Sequence, residues 1–320
     1  DVMERSLLVG LAPVDAGLDR AELRGHAEVD QPGAPRRGLE QHVGRVHVLV
    51  QHARGVDEAE RVGERAGEIE PGSERERPVR EQARQFVNAE VLPDIEKHAQ
   101  EQTFPRALVA PMGEMGFFGP TLPPRYGGAG LSSVAYGLLM YELERGDSGI
   151  RSFASVQGSL VMHPIFAYGS EAQRERWLPR LARGEAIGCF GLTEPDFGSN
   201  PGGMLTRAVK DGGDWVINGR KMWITNGTGC DVAVVWARTE EGIRGFLVEG
   251  DAQGFSAPEQ KHKWSLRASV TSELVLEDVR VKDSARLPKA EGLKGPLGCL
   301  TQARYGIAWG GIGAALACFD

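Results

Sequence analysis

The chain has 320 residues, 41% hydrophobic and 25% charged, enough for two or three domains around a substantial core. Its net charge of −7 gives no global attraction to a polyanion such as nucleic acid, and no stretch approaches the ~18 uninterrupted apolar residues of a membrane-spanning helix. The four cysteines (Cys189, Cys230, Cys299, Cys318) form no C-x-x-C pair and the seven histidines no H-E-x-x-H, so reduced thiols are expected rather than a disulfide framework, and no metal site.

The start, DVMERSLLVG, lacks the basic region and long apolar core of a secretory signal, and a cytoplasmic location is expected. Residues 1–72 are built mostly from Arg, Gly, Val, Glu and Ala without an aromatic. They show little sustained periodicity and are read as disordered or as a misassigned extension, with no function. From Ser73 the pattern becomes helical. Val79, Ala83, Phe86, Val87, Val91 and Ile95 keep close to one helix face, and Ser73 with Glu76 fits a capping box. FPRALVAPMGEMGFFG is a less regular helix, LPPRYGGAGLS a loop. SSVAYGLLMYELERG resumes helical spacing with Val134, Leu138, Tyr141 and Leu143 on its apolar side. SVQGSLVMHPIFAYG and SEAQRERWLPRLARGE, the latter capped by Ser170, complete a helical domain over 73–186.

Near Ile187 the period changes to that of strands. AIGCFGLT, RAVKDGGDWVING, RKMWITN, DVAVVWART, RGFLVEG and ELVLEDVRV are short β-type runs between turn signals, predicting an antiparallel, barrel-like β domain over 187–290. Asn218-Gly219 suits a type I′ hairpin turn. Alternation along the following strand would put Trp223 and Thr225 on one face. CLTQARYGIAWGGIGAALACF returns to helix within 291–320. The fold class expected is thus α+β. GGIGAAL follows no strand, which argues against a Rossmann dinucleotide site.

CFGLTEPDFGSNP (189–201) sends a buried strand abruptly into a polar loop. A flavin would use such a place: its tricyclic plate needs an aromatic surface, and its pyrimidine edge needs hydrogen-bond partners once buried. Phe190 to Thr193 offer backbone and a hydroxyl, Trp223 and Thr225 an indole and a second hydroxyl, and Ser199 a group in reach of a phosphate. Taken singly, these features equally describe a packed sheet face and an ordinary turn.

Together they resemble a known family. FGLTEPDFGSN followed by INGRKMWITNG looks like the paired flavin motifs of acyl-CoA dehydrogenases, and LPPRYGGAGLS is similar to a loop of their N-terminal domain. The resemblance runs from Ser73 to Asp320. It implies FAD as cofactor, contacted by Phe190, Leu192, Thr193, Ser199, Trp223, Ile224 and Thr225, with Asn200 where many relatives have Asp. ELERGDSGIRSFASVQGSLVMHPIFAYGS, GCFGLTEP, WSLRAS and LGCLTQARYGIAWG are very similar to the glutaryl-CoA dehydrogenases within that family. That implies a substrate site of Glu144, Arg151, Ser152, Ser155, Ser199, Thr225, Leu297 and Arg304, where Arg151 would fork onto the far carboxylate of a five-carbon diacid. On spacing alone, Arg151 reads rather as a bridge from a helix end to Asp147.

The reaction implied is oxidative decarboxylation of glutaryl-CoA to crotonyl-CoA, with electrons passed to an electron-transfer flavoprotein by a homotetrameric enzyme. The family's catalytic base is a glutamate in a C-terminal helical bundle. No residue here matches it, so the base is expected beyond the chain end, the bundle mostly missing, and the 320-residue chain inactive alone. A short-chain acyl-CoA dehydrogenase of other specificity, or a non-catalytic flavin- or acyl-CoA-binding module, are the alternative readings.

Overall fold

A computed structural model describes residues 76–319; residues 1–72, and Ser73 of the expected capping box, lie outside them. Helix α1 (Arg77–Phe86) continues into a π-helical turn (Val87–Val91) and buries Ala83, Phe86, Val87 and Val91. Short helices α2 (Ile95–Glu101) and α3 (Val109–Glu114) follow. Then come α4 (Ser133–Gly146), α5 (Ser148–Ser155), a π-helical segment (Val156–Met162), α6 (His163–Tyr168), α7 (Glu171–Ala182) and, after the strands, α8 (Lys294–Phe319). Ser170 caps α7 in a full capping box with Gln173.

Helix α4 is enclosed on every side rather than amphipathic. Val134 is exposed, whereas all nine residues from Ala135 to Leu143 are buried. Its second face is taken by α8, which approaches closely because small residues line the seam. A Cβ on Gly137 would lie 2.4 Å from the Trp309 ring. The fully buried carboxylate of α4 is compensated: Glu142 pairs with Arg80 at 3.0 Å and Arg145 at 2.9 Å, as a carboxylate out of water requires.

Seven strands form one sheet: β1 (Gly188–Gly191), β2 (Arg207–Asp211), β3 (Asp214–Thr225), β4 (Val232–Thr239), β5 (Gly242–Glu249), β6 (Phe255–Ser256) and β7 (Thr271–Lys282). The order is β1-β4-β2-β3-β7-β6, with β5 also on β4. The sheet is mixed, because β1 and β2 both pair with β4 in parallel. These pairings join distant runs and left no turn signal to read. The near-continuous apolar run of β4 reflects burial on both faces. Val232, Val234 and Trp236 belong to the core shared with the helices, while Ala233, Val235 and Ala237 face the second core inside the sheet.

The expected Asn218-Gly219 hairpin is not formed. Both residues lie within the continuous β3, and the β2–β3 turn falls instead at Gly212-Gly213, between the paired Asp211 and Asp214. Across from Asn218, β7 carries an extra residue, so that Ile217 pairs with Val279 but Gly219 with Leu276. Asp278 takes the left-handed conformation (φ 54°), and its N–H donates to the Asn218 side chain at 2.8 Å. Farther along, the extra residue is on β3: Lys221 pairs with Leu274 but Ile224 with Ser272. Trp223 is the left-handed residue there (φ 61°). The two bulges offset one another and restore the register by Thr225.

Candidate functional site

The bend after β1 and the bulge in β3 are joined by hydrogen bonds. Met222 donates its backbone N–H to the Thr193 carbonyl at 2.8 Å, tying the loop to the strand one residue before Trp223. Beneath this tie lies an ion pair: Lys221 Nζ donates to Glu194 Oε1 at 2.8 Å, with side-chain exposures of 0% and 4%. The same ammonium donates to the Leu192 carbonyl at 3.2 Å. Glu194 also accepts the backbone N–H groups of Leu205 (2.6 Å) and Thr206 (3.0 Å), so one carboxylate closes both ends of the 194–206 loop. Burial pushes the Lys221 ammonium down to about 8, against the upward pull of Glu194. Burial raises the Glu194 carboxyl, but Lys221 and the two amides outweigh it and hold the carboxyl below its usual range. Both groups are charged at pH 7.

Above this foundation is an open cavity of ≈ 290 Å³. The expected residues Phe190, Leu192, Thr193, Ser199, Trp223, Ile224, Thr225, Leu297 and Arg304 all line it. Trp223 is 64% exposed, a large indole held against the opening instead of in a core. Trp223 and Thr225 do reach the same cavity, but not through simple alternation: Lys221 and Ile224, three apart, are both buried, because the bulge resets the pleat between them. Val156, Leu160 and Leu300 add apolar wall, and Arg304 is the lining's one full charge. Sequence reasoning missed these three wall residues, which carry no mark beyond helical spacing, and it missed Lys221 and Glu194. A lysine at an inward position of an otherwise apolar-facing strand was the available signal.

The remaining expected residues sit elsewhere. Arg151 forms an ion pair with Glu144, with side-chain exposures of 12% and 9%, and Ser148 Oγ donates to the same carboxylate at 2.5 Å. Asp147 instead caps α5, accepting from Gly149 at 2.7 Å and Ile150 at 3.2 Å; burial raises its carboxyl pKa despite those bonds. The pair lies under α8 at Gly310, where a Cβ would come 3.0 Å from Glu144 and 3.4 Å from Arg151. Ser155 is buried beside Tyr136, whose hydroxyl also bonds Ser159 at 2.8 Å, and Ser152 is half-buried on α5. None of Glu144, Arg151, Ser152 and Ser155 lines the ≈ 290 Å³ cavity. Cys189 and Cys230 are free, with the Cys189 thiol 3.6 Å from the Cys230 sulfur. Among the described residues no His, Cys, Asp and Glu cluster is arranged to hold a metal ion, and no helix is long and apolar enough to cross a membrane.

Residues 73–185 match the model of the acyl-CoA dehydrogenase N-terminal domain and residues 189–279 that of the acyl-CoA dehydrogenase middle domain. A glutaryl-CoA dehydrogenase from Mycobacterium smegmatis, solved in complex with FADH2, is similar at 57% identity and a TM-score of 0.76, over 77% of this chain and 64% of that one. The butyryl-CoA dehydrogenase of Megasphaera elsdenii superposes with a TM-score of 0.73 at 31% identity, over 77% and 67% of the two chains. The human mitochondrial short-chain specific acyl-CoA dehydrogenase is 37% identical over 243 residues, 74% of this chain and 59% of that protein. The chain belongs to the acyl-CoA dehydrogenase family. It spans about 60% of the length of the curated relatives it matches.

Proposed function

We propose that the chain provides the flavin-binding and part of the acyl-CoA-binding surface of an FAD-dependent acyl-CoA dehydrogenase of glutaryl-CoA type. The observation that carries this reading is the single cavity shared by Thr193, Thr225 and Trp223. Its dimensions suit one flat ring system with the remainder of the ligand running out through the open side. Its make-up suits the same group: an exposed indole and a wall of aliphatic and aromatic side chains for a plate, with two threonine hydroxyls for polar edges. FAD, when bound, supplies acceptance of a hydride from the β carbon of the thioester.

The chain's own residues then have separate tasks. Trp223 covers one face of the ring and keeps water from it. Thr193 and Thr225 donate hydroxyls to polar atoms at its edge, where negative charge collects on reduction and fixed donors favour it. Ser199 and Arg304, at the rim, meet the phosphate-bearing and thioester parts of the ligands. Arg151, oriented by Glu144, is the cation proposed for the far carboxylate of glutaryl-CoA. Proton removal from the α carbon requires a base, and the cavity lining holds no carboxylate or imidazole. The overall reaction proposed is loss of CO₂, one proton and two electrons from glutaryl-CoA to give crotonyl-CoA, with an electron-transfer flavoprotein as electron acceptor, in the cytosol and in a homotetrameric enzyme.

A second reading, a dehydrogenase of an uncharged short acyl chain, is favoured by one observation: Arg151 is already neutralised by Glu144 and does not line the cavity. The test is the affinity of the flavin-loaded chain for glutaryl-CoA and butyryl-CoA, followed through the flavin absorption spectrum. The first reading requires that Arg151→Met weaken glutaryl-CoA at least tenfold more than butyryl-CoA. Equal losses select the second.

A further inference from the structure

We infer that Glu194 and Lys221 are positioning residues whose buried ion pair fixes the spacing between Thr193 and Trp223, and with it the capture of the flavin. This rests on the cavity being the flavin site. A buried ion pair is an inefficient way to stabilise a fold, since desolvating two charges offsets most of their attraction and a well-packed apolar pair does as well or better. What an apolar pair lacks is direction. Residues 192–206 leave β1 and return to β2 with no strand partner over most of their length, so the sheet holds Thr193 only through the single backbone bond from Met222. The carboxylate adds to that constraint through Lys221, Leu205 and Thr206. Lys221 extends it to the Leu192 carbonyl, and the next residue, Met222, binds the Thr193 carbonyl. The pair therefore joins the residues immediately flanking both ligand groups: 192 and 194 around Thr193, and 221 and 222 ahead of Trp223. Lys221 is also the last residue in register before the bulge that turns Trp223 outward.

The experiment uses the whole 320-residue chain and its E194Q, K221M and E194Q/K221M variants. Amide hydrogen exchange is read at Leu205, Thr206 and Met222, and FAD affinity by quenching of flavin fluorescence. Gln at 194 keeps one acceptor oxygen for two amides and an ammonium, so E194Q is near-isosteric and decides the matter should K221M fold poorly. In both single variants the three amides are expected to exchange at least tenfold faster while those of β4 keep their protection, and FAD affinity is expected to fall at least tenfold. The double variant is expected to bind FAD no more weakly than K221M, because the two residues act as one unit. Unchanged exchange at the three amides, or single variants that bind FAD within twofold of the unaltered chain, overturns the inference. If the unaltered chain takes up no FAD, the flavin reading of the cavity fails separately, and the exchange rates alone decide whether the pair holds the loop.

Discussion

Trp223 sits in the left-handed region (φ 61°) one residue after Met222, whose N–H is bound by Thr193. The chain thus places a strained, exposed indole immediately beside the tie that holds the opposite side of the cavity. Non-glycine residues in this conformation cost ~1–2 kcal/mol, and such strain collects at ligand-binding positions. Replacing Trp223 by Gly relieves that strain while adding the ~0.5–1 kcal/mol entropic cost of glycine. The stability of the flavin-free chain to urea should therefore change by no more than about 1 kcal/mol. FAD affinity should fall at least tenfold. A large loss of stability would show that Trp223 belongs to the fold rather than to the cavity.

The pH dependence of stability separates Lys221 from other buried groups. Its folded pKa is depressed to about 8 from an ordinary 10.5. Between those values the unfolded chain holds a proton that the folded chain has released, so this group adds stability as pH rises. The thiols of Cys189 and Cys299 act in the opposite sense: the contact with Cys230 and then burial keep Cys189 protonated, and burial pushes Cys299 up to about 12, so stability falls above their ordinary value of 9.0. Subtracting the K221M variant removes the thiols, which both proteins share. Urea unfolding at pH 7.5 and pH 10 should show the unaltered chain gaining on K221M by on the order of 2 kcal/mol. A constant difference would mean that Lys221 titrates normally.

Helix α8 offers a paired test of the Glu144–Arg151 seam. A methyl group on Gly310 meets the ion pair at 3.0 and 3.4 Å, whereas one on neighbouring Gly311 meets nothing within 4 Å. G310A should destabilise by about 1–3 kcal/mol through overpacking. G311A should stabilise by up to about 1 kcal/mol through helix propensity. Thermal or urea unfolding of the two variants checks the contrast, and similar effects would show that α8 does not press on the pair.

Assayed alone with glutaryl-CoA and a dye as electron acceptor, the 320-residue chain should give essentially no turnover. No group lining the cavity is a conventional proton acceptor, and a general base contributes roughly two to four powers of ten in rate. Turnover comparable with that of the Mycobacterium smegmatis relative would require a base among residues that this structure keeps away from the cavity.

The sequence by itself determined the succession of helix, strand and helix, because each change of period from 3.6 to 2 and back is written in consecutive residues. It also determined most of the cavity lining: Phe190, Thr193, Ser199, Trp223, Ile224 and Thr225 fall in two short runs, and local runs are what motifs capture. Tertiary structure alone decided what depends on partners distant in the chain. The Asn218-Gly219 pair reads as a hairpin until β7 lies alongside it and turns the site into a bulge opposite Asp278. Helix α4 reads as amphipathic until α8 covers its other face, and the parallel pairing of β1 with β4 has no local trace. Lys221 and Glu194, separated by 27 positions, acquire their role only when burial makes each the other's compensating charge. Arg151 shows the same limit, since its alternatives, Asp147 and Glu144, are both close in sequence and only the geometry of α4 and α5 chooses Glu144.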